Sequence, residues 1–399
     1  MIEPSEHRPT QAIIDLNAIK HNIQLLKDRL SSEQQVYATV KANAYGHGGV
    51  AVSQAALEAG ANGLAVATVD EGIELRKNGL SRVPILVLGL TDPYGIAEIL
   101  HYNLTITVSD AVFFDKAYQQ LKLMGQTKLL DLYPLTFHLA LDTGMGRIGL
   151  RTREEVKEFI QAIQVYDWLD WEGVFTHFST AGGGDEGYIE TQWASWTELL
   201  KVVPNDVKLK HFSNSAMALW HNDERSPKSD IVRFGISMYG IDPKDEIPIR
   251  YQSCLSQATT LKENITDDLK VAMQLISEII YVKQLPVHSK VSYGASYETK
   301  EDEWIATIPI GYGDGWLRAY CNSVILVDGN ACPIVGVINM DQLMIKLPKY
   351  YPVGTVVTLI GEDGELFNHP SVIAEKAKTI GYEIVTNIGP RVPRVYLSE

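Results

Sequence analysis

The segment VYATVKANAYGHG, residues 36–48, decides how the first half of the chain is interpreted. Its first five residues form an apolar run typical of a buried strand, and residues 50–59 have a helical pattern that stops at Gly60. The segment therefore predicts a strand, a glycine-rich turn and a helix in succession. Lys41 lies at the end of the strand, facing the turn.

Lys41 has two interpretations on this local pattern. A lysine in a partly desolvated site loses some preference for its ammonium form, and its neutral amine can attack a carbonyl to form a Schiff base. A surface lysine beside glycines that only shape a turn fits the same letters. The segment alone leaves both interpretations open.

Short apolar runs alternate with helical patterns from residue 11 to about residue 241. Because no GxGxxG motif follows the first run, about eight βα units over about 230 residues favour a (β/α)8 barrel over an open doubly wound sheet. The predicted strands are residues 12–15, 36–40, 63–67, 85–88, 104–108, 135–141, 173–176, 209–212 and 231–234. In the first helix, Ile19, Ile23, Leu26 and Leu30 share one face, and Asn17 is the expected N-cap.

After residues 241–243 the pattern changes to strands and turns. The predicted elements are a hairpin with strands 324–327 and 331–335 around Asp328-Gly329-Asn330, a strand at 356–360 and a helix at 371–379. We expect a barrel domain at 11–241 and a mainly β-strand domain at 244–399, with residues 1–10 a candidate addition to the latter. The charged stretch 259–270 is either an inserted loop or solvated surface.

The composition limits the classes of partner. The 399-residue chain is 45% hydrophobic, as soluble globular proteins are, and its formal net charge of -14 argues against a nucleic-acid partner. Cys254, Cys321 and Cys332 form no CxxC pair and are too few for a disulfide framework, so a cytoplasmic location is expected. No stretch resembles a signal peptide or approaches the roughly 18 apolar residues of a membrane span. No membrane association and no metal site are predicted.

Four polar motifs follow predicted barrel strands, at the end where barrel enzymes have their active sites. They contain Arg147 in DTGMGRIG, His177 in THFS, Asn214 and Ser215 in NSA, and Arg233 in RFGI. An arginine can donate a fixed fork to an anionic oxygen, and a helix N-terminus can receive a phosphate. A turn arginine, a structural histidine, an ordinary N-cap and a salt-bridge arginine explain the same letters.

The combination of KANAYGHG with these motifs resembles the alanine racemases that depend on pyridoxal 5'-phosphate (PLP), and the resemblance runs from Ala12 to Tyr396. It implies that Lys41 carries the cofactor. It also implies that Arg233, bonded to His177, faces the pyridine nitrogen and leaves it unprotonated, where many PLP enzymes have a carboxylate. The implied cofactor-binding residues are Lys41, Tyr45, Arg147, His177, Asn214, Ser215, Arg233, Gly235 and Ile236, with Arg147 at the phenolic oxygen and Tyr45, Ser215, Gly235 and Ile236 at the phosphate.

Racemisation needs a base on each face of the Cα carbanion. The motif VSYGA resembles the family's catalytic tyrosine motif and implies that Tyr293 is the base opposite Lys41, although any single tyrosine is more often a packing or surface residue. An ordinary tyrosine has a pKa near 10, so His177 and Arg233 are expected to favour its phenolate. The implied substrate-binding residues are Arg147, Tyr312 in GYGDG, and Met340 and Asp341 in NMDQ.

The resemblance further implies a homodimer in which these β-domain residues reach the PLP of the partner subunit. The implied activity is interconversion of L-alanine and D-alanine, which supplies D-alanine for the cell wall. Three rivals remain: a serine and alanine racemase of the same fold, a decarboxylase, and a single-barrel protein of PLP homeostasis. The KANAYGHG and Arg233 motifs favour a racemase over a decarboxylase, and Tyr293 in a second domain argues against the single barrel.

Two positions depart from the family pattern. Ala140 replaces a lysine that is carbamylated in many relatives and braces the arginine of DTGMGR, so a bound anion or a neighbouring carboxylate is expected to brace Arg147 instead. Pro390 stands where a tyrosine is expected before RVPR. That change implies one phosphate contact fewer and a wider entrance that would admit serine.

Overall fold

The computed structural model describes residues 3–185, 187–221, 228–244 and 265–398. They form two compact units. The barrel unit comprises the described residues within Ile23–Ala44 and Val52–Met238, and the β unit comprises those within Met1–Asn22, Tyr45–Ala51 and Tyr239–Glu399. Cys254 and positions 259–264 of the charged stretch lie outside the described residues.

Parallel strands close into a ring in the barrel unit. After β1 (Gln11–Asp15), which belongs to the β unit, these strands are β2 (Gln35–Thr39), β3 (Gly63–Val66), β4 (Ile85–Leu90), β5 (Thr105–Val108), β6 (Leu135–Ala140), β7 (Leu169–Phe175), β8 (Leu209–His211), β9 (Ser213–Asn214) and β10 (Ile231–Phe234). Their order is β8-β7-β6-β5-β4-β3-β2-β10-β9. Only Phe212 separates β8 from β9, so the two together occupy one strand position of the barrel. The barrel then has eight strand positions and is of the (β/α)8 type, as predicted.

Apolar runs give this barrel its core. Every residue of β3 is buried, and Ile85, Leu86 and Val87 of β4 have no exposed surface. Strands buried on both faces have continuous apolar sequences, which is the pattern that identified them. Each fully buried side chain of this size contributes about 1.5–3 kcal/mol relative to an exposed one.

Helices alternate with these strands. Their bounds are Leu16–Lys27, Gly49–Glu58, Val69–Lys77, Ile96–His101, Val112–Leu123, Leu129–Leu132, Arg153–Ile163, Tyr188–Leu200 and Ser215–Trp220, with 3-10 turns at Pro93–Gly95 and Ile236–Tyr239. The predicted N-cap of the first helix, Asn17, is wrong. Asp15 caps it, because the helix begins at Leu16 and Asp15 Oδ1 accepts hydrogen bonds from the Asn17 and Ala18 amides at 2.8 and 3.2 Å.

Antiparallel pairing dominates the β unit. Its other strands are β11 (Met273–Glu278), β12 (Tyr281–Leu285), β13 (Lys290–Val291), β14 (Tyr297–Glu298), β15 (Glu303–Ile308), β16 (Val324–Val327), β17 (Asn330–Pro333), β18 (Leu343–Leu347), β19 (Val356–Asp363), β20 (Leu366–Asn368) and β21 (Arg394–Leu397). They form sheets of order β17-β16-β19-β11-β1-β21, with β20 on β19, and β12-β15-β18, and a β13-β14 ribbon. The unit also has helices Pro370–Ala377 and Gly381–Thr386 and 3-10 turns Ile265–Asp268, Tyr293–Ala295, Tyr312–Asp314 and Arg318–Asn322.

The predicted hairpin is confirmed. Val327 pairs with Asn330, which leaves Asp328 and Gly329 as a two-residue turn. Their φ angles are +50° and +70°, the sign that a type I′ turn requires at both positions. The predicted helix at 371–379 corresponds to Pro370–Ala377.

One strand assignment was wrong. The sequence pattern places residues 12–15 among the barrel strands, but β1 pairs antiparallel with β11 and parallel with β21. An apolar run followed by an amphipathic helix has the appearance of a βα unit, and the partners of β1 lie more than two hundred positions later in the sequence. The domain boundary at 241–244 stays a prediction.

Candidate active site

Lys41 begins a left-handed turn. The φ and ψ angles are 53° and 50° at Ala42, 53° and 47° at Asn43, and 53° and 54° at Ala44, and φ is 50° at Tyr45. An L-residue pays about 1–2 kcal/mol for this conformation, so four in succession are held only if neighbouring groups enforce it. None of the four is glycine, so the sequence predicts a turn here but gives no sign that these four residues are left-handed.

The charges around Lys41 favour its neutral amine. Burial lowers the pKa of Lys41 from its ordinary value, and repulsion from Arg147 and then from Arg233 adds to this effect. Glu71 opposes them and raises the pKa. Lys41, Arg147 and Arg233 follow or end three different barrel strands, so the fold brings these predicted site residues together.

Asp142 shapes the loop that carries Arg147. The buried Asp142 carboxylate accepts hydrogen bonds from the amides of Gly144 and Gly146 at 3.1 and 2.8 Å. Gly149 has φ +118°, and a Cβ there would lie 2.6 Å from the Asp142 nitrogen, so the loop requires glycine at that position.

Arg147 itself is exposed. Within the described ranges, no hydrogen bond or ion pair restrains its side chain, and Ala140 is buried at the end of β6. The expected carboxylate brace therefore has no support. The bound anion stays a prediction.

Arg233 is buried and anchored to the barrel. Its guanidinium donates to His211 Nδ1 at 2.7 Å, to the Thr176 carbonyl at 2.8 Å and to the Phe212 carbonyl at 3.2 Å. Burial, followed by repulsion from Arg147, lowers the pKa of Arg233 to about 9, which leaves it cationic near neutral pH. The predicted bond partner, His177, is thus replaced by His211, whose ring lies parallel to Phe175 at 5.1 Å.

A chain of hydrogen bonds continues outward from His211. His211 Nε2 lies 2.8 Å from His138 Nδ1, and His138 Nε2 lies 3.0 Å from Glu172 Oε2. Burial lowers the pKa of His211 well below its ordinary value, so His211 is neutral. Arg233 can only donate, so His211 must accept at Nδ1 and carry its proton on Nε2. The same logic puts the His138 proton on Nε2, directed at the Glu172 carboxylate.

His177 contacts a different partner. Its Nε2 lies 3.5 Å from Asn214 Nδ2. Burial, followed by the charges of Arg233, Arg147 and Lys41, lowers the pKa of His177 to about 3. His177 is therefore neutral near pH 7 and cannot supply the positive charge that was expected to favour a tyrosine phenolate. Arg233, which is cationic, stays the predicted source of that charge.

The predicted phosphate ligands of the barrel unit lie at one helix start. Asn214 is the N-cap of helix Ser215–Trp220, and its side chain accepts from the Met217 amide at 2.9 Å. Ser215 Oγ accepts from the Gly235 amide at 2.9 Å, and Ile236 follows in the same loop. Tyr45 belongs to the β unit, and its action on the same phosphate stays a prediction.

Tyr293 follows a strained residue. Ser292 has φ 69° and ψ 177°, a region that essentially only glycine occupies. The Ser292 hydroxyl donates to the Val337 carbonyl at 2.9 Å and accepts from the Val337 amide at 3.2 Å, which holds this conformation. The Tyr293 side chain is 75% exposed within this single chain.

The predicted substrate residues of the β unit form one cluster. The Tyr312 amide donates to the Asn339 carbonyl at 3.0 Å, and the Gly313 amide donates to the Met340 carbonyl at 2.8 Å. Arg391 fixes both sides of this cluster. It pairs with Asp341 at 2.8 Å and with the buried Asp314 of GYGDG at 3.0 Å.

A tyrosine does lie beside Tyr45, although position 390 has none. The rings of Tyr382 and Tyr45 are 6.2 Å apart, and Tyr239 lies 4.9 Å from Tyr45 on another side. Arg394 of RVPR donates to the Gly46 carbonyl at 3.0 Å and so ties the residue after Tyr45 to the last strand. Pro390 therefore does not leave this region without a second tyrosine.

Comparisons with known proteins agree across the whole chain. The family model "Alanine racemase, N-terminal domain" matches residues 14–243, and "Alanine racemase, C-terminal domain" matches residues 272–396. An alanine racemase from Ligilactobacillus salivarius is 44% identical over 98% of both chains. The crystal structure of alanine racemase from E. faecalis has a TM-score of 0.87 at 41% identity, covering 99% of this chain and 100% of that one.

The chain belongs to the alanine racemase family. A solved structure of a protein with a different activity is also similar: the histidine racemase from Leuconostoc mesenteroides subsp. sake has a TM-score of 0.85 at 31% identity, covering 100% of both chains. The fold shared by alanine racemases is therefore also found with a larger substrate. Substrate choice has to be argued from the residues around the site.

Sequence reasoning missed four residues near the candidate residues, three in the barrel unit and one in the β unit. They are Glu71, Glu172, His211 and Tyr382. His211 lies three residues before the predicted N-cap Asn214, at a strand end, and that position could have identified it. Glu71 stands three residues after Thr68, a capping-box spacing that predicts a helix start and nothing more.

The described residues contain neither a membrane-spanning helix nor a group of metal-binding side chains. None of their helices combines the length and the apolar character that crossing a bilayer requires. In the same part of the chain, no group of three His, Cys, Asp or Glu side chains is arranged to hold a metal ion.

Proposed function

We propose that this chain is a PLP-dependent alanine racemase that interconverts L-alanine and D-alanine by a two-base mechanism. The observation that carries the proposal is the position of Lys41. It has a lowered pKa in a barrel unit where Arg147 and Arg233 are the cations that bear on it. Family membership over the whole chain supports the same reaction.

The residues of the barrel unit fit PLP by their donor set. Lys41 supplies an amine for the aldehyde, Arg147 a donor for the phenolic oxygen and Arg233 a donor for the ring nitrogen. Ser215 and the Gly235 amide, which are bonded to each other at a helix start, would supply the phosphate contacts. When bound, PLP would supply the electron sink that acidifies the substrate Cα–H.

Two bases are needed to invert the stereochemistry. Lys41 would hold or release the proton on one face of Cα, and Tyr293 would do so on the other. The lowered pKa of Lys41 suits a group that must act as a base near neutral pH. Arg233 would supply the positive field that favours the phenolate of Tyr293, because neutral His177 does not.

A homodimer with shared active sites follows from the same proposal. The side chains of Tyr293, Tyr312 and Met340 are 75%, 40% and 53% exposed in one chain, as residues that serve a partner subunit would be. The product D-alanine would enter cell-wall synthesis. A cytoplasmic location remains the expectation from cysteine usage.

Substrate range is the principal alternative. The position of Tyr382 beside Tyr45, despite Pro390, argues against a serine and alanine racemase. Arg391 also fixes Asp341 and Asp314, which limits movement of the loop that contains Met340. These contacts favour a narrow pocket and therefore alanine.

A chiral assay tests the activity. PLP-loaded protein is incubated separately with L-alanine, L-serine and L-histidine, and the D-enantiomers are resolved by chromatography. We expect D-alanine to form at least tenfold faster than D-serine, and no D-histidine. Absence of D-alanine would refute the proposal, and equal rates for serine would replace it with the broader racemase. Release of CO2 without a D-product would identify a decarboxylase.

Hydrogen exchange at Cα tests the two bases. In D2O, the Tyr293→Phe variant should lose racemisation while still exchanging the α-proton of one enantiomer, the one whose Cα–H faces Lys41. The other enantiomer should not exchange. Exchange of both enantiomers at equal rates, or racemisation at the wild-type rate, would remove Tyr293 as a base. Tyr281→Phe, at another exposed tyrosine of the β unit, is the matched control.

A further inference from the structure

Glu71 makes contacts that its place in a helix cap does not explain. It stands at the third position of helix Val69–Lys77 and completes a capping box with Thr68. In an ordinary capping box the carboxylate would bond chiefly to the N-cap amide. Here the bond to the Thr68 amide, at 3.3 Å, is the longest of three that Glu71 accepts.

The two shorter bonds go elsewhere. Glu71 Oε2 accepts from the Ala67 amide at 2.7 Å, at the end of β3. Glu71 Oε1 accepts from the Ala42 amide, also at 2.7 Å. Ala42 is the first left-handed residue after Lys41. One carboxylate therefore joins the end of β3 to the strained turn that begins at the lysine.

The bond to Ala42 fixes a conformation more than it satisfies a donor. Ala42 is exposed, so water could solvate its amide without Glu71. The left-handed conformation, in contrast, persists only where neighbouring groups enforce it. A second bond, from the Ala44 amide to the Val40 carbonyl at 2.8 Å, closes the other end of the turn.

Glu71 also places a negative charge beside Lys41. The charged groups that bear on Lys41 are Arg147 on the loop after β6, Arg233 on β10 and Glu71 on helix Val69–Lys77. His177 lies near enough for Lys41 to affect it, but it is neutral. Glu71 is thus the anion in a site otherwise dominated by cations.

We propose that Glu71 is a positioning residue for Lys41: one carboxylate oxygen holds the left-handed turn through the Ala42 amide, and the charge offsets the two arginines around the amine. The proposal rests on the proposed function, since it takes Lys41 as the PLP attachment site. Its two parts predict different results. The conformational part depends on oxygen acceptors, whereas the electrostatic part depends on charge.

The test measures PLP binding to the PLP-free protein, with attachment at Lys41 verified by borohydride reduction and peptide mass. Glutamine has one acceptor oxygen and cannot serve both Ala67 and Ala42, and alanine has none. We expect PLP affinity to fall at least tenfold in Glu71→Ala and by less in Glu71→Gln. Both variants should shift the pH midpoint of the PLP association rate downward, because the charge that raised the Lys41 pKa is gone.

A suppressor separates the two parts. Glycine adopts positive φ without steric cost. The double variant with Ala42→Gly and Glu71→Ala should therefore bind PLP at least threefold more tightly than Glu71→Ala alone. The pH midpoint should not recover, since the charge is still missing. Glu74→Gln makes the same charge change at an exposed position of the same helix and should alter neither quantity.

Several results would overturn the proposal. Wild-type affinity and pH midpoint in Glu71→Gln would do so, even if Glu71→Ala failed to fold. Equal losses of PLP affinity in Glu71→Gln and Glu74→Gln would also overturn it. So would a PLP affinity of the Glu71→Ala, Ala42→Gly double variant no higher than that of Glu71→Ala. If wild-type protein took up no PLP at Lys41, the proposed function would fail together with this role. Normal uptake by the wild type with unchanged Glu71 variants would remove the role alone.

Discussion

Replacing Ala42 by glycine would measure the strain in the turn that begins at Lys41. An alanine pays about 1–2 kcal/mol for the left-handed conformation that Ala42 adopts, with φ 53° and ψ 50°. Glycine removes that cost but loses about 0.5–1 kcal/mol more conformational entropy on folding. Because Ala42 is exposed, the missing methyl group removes no buried surface. The expected net effect is a stabilisation of about 0.5–1 kcal/mol.

Urea unfolding of the PLP-free protein is the measurement, and Ala162→Gly is the matched control. Ala162 is also exposed but lies in the right-handed helix Arg153–Ile163, where glycine relieves no strain and the same replacement costs up to about 1 kcal/mol. The two variants should therefore shift the midpoint in opposite directions. If Ala42→Gly destabilised the protein as much as Ala162→Gly does, the left-handed turn would not be a strained conformation.

Three further predictions concern other contacts of the site. Glu172→Ala should lower the free energy of unfolding by about 1 kcal/mol, because it leaves the buried His138 N–H without its acceptor. Glu172→Gln keeps an oxygen there and should change the free energy of unfolding little. Equal urea midpoints for the two variants would contradict the chain of hydrogen bonds. Ser292→Ala should destabilise the β unit more than Ser292→Gly, since alanine loses the two hydroxyl bonds and keeps the strained φ of 69°; thermal unfolding would compare them, and the reverse order would be decisive against the strain. His177 has an ordinary pKa of 6.5 and a folded pKa of about 3, so between these pH values it is protonated only in the unfolded state, and its contribution to stability falls as the pH drops through that window. The His177→Gln variant should therefore lose less stability than the wild type between pH 7 and pH 4. Equal losses of stability in the two proteins would show that His177 is not held neutral.

Local patterns predicted the barrel well because the residue types within each strand reflect how that strand is buried. Residues 85–88 are apolar without interruption, and residues 36–40 are apolar except for Thr39, which is the pattern of strands buried on both faces. The Asp328-Gly329 turn was equally predictable from the sequence, since aspartate and glycine are residue types that suit positive φ. In each case the physical cause lies within a few residues of its effect.

The failures share the opposite property. The partner of β1 is set by residues distant in sequence, and the choice between His177 and His211 as the partner of Arg233 depends on which ring comes within hydrogen-bond distance in the folded chain. The turn at Ala42 is enforced by Glu71, whose spacing indicates only a helix cap. The family resemblance supplied roles for Lys41 and Tyr293, which stay predictions, but not the groups that hold them in place.

The position of β1 between β11 and β21 has a consequence for synthesis. A ribosome makes β1 before the other strands of its sheet, and the neighbours of β1 in that sheet appear only after more than two hundred further residues have been joined. The strands of the barrel unit, by contrast, each pair mainly with strands made shortly before or after them. The nascent chain can thus complete the barrel while its first strand remains an unpaired edge, open to misplaced partners until β21 emerges.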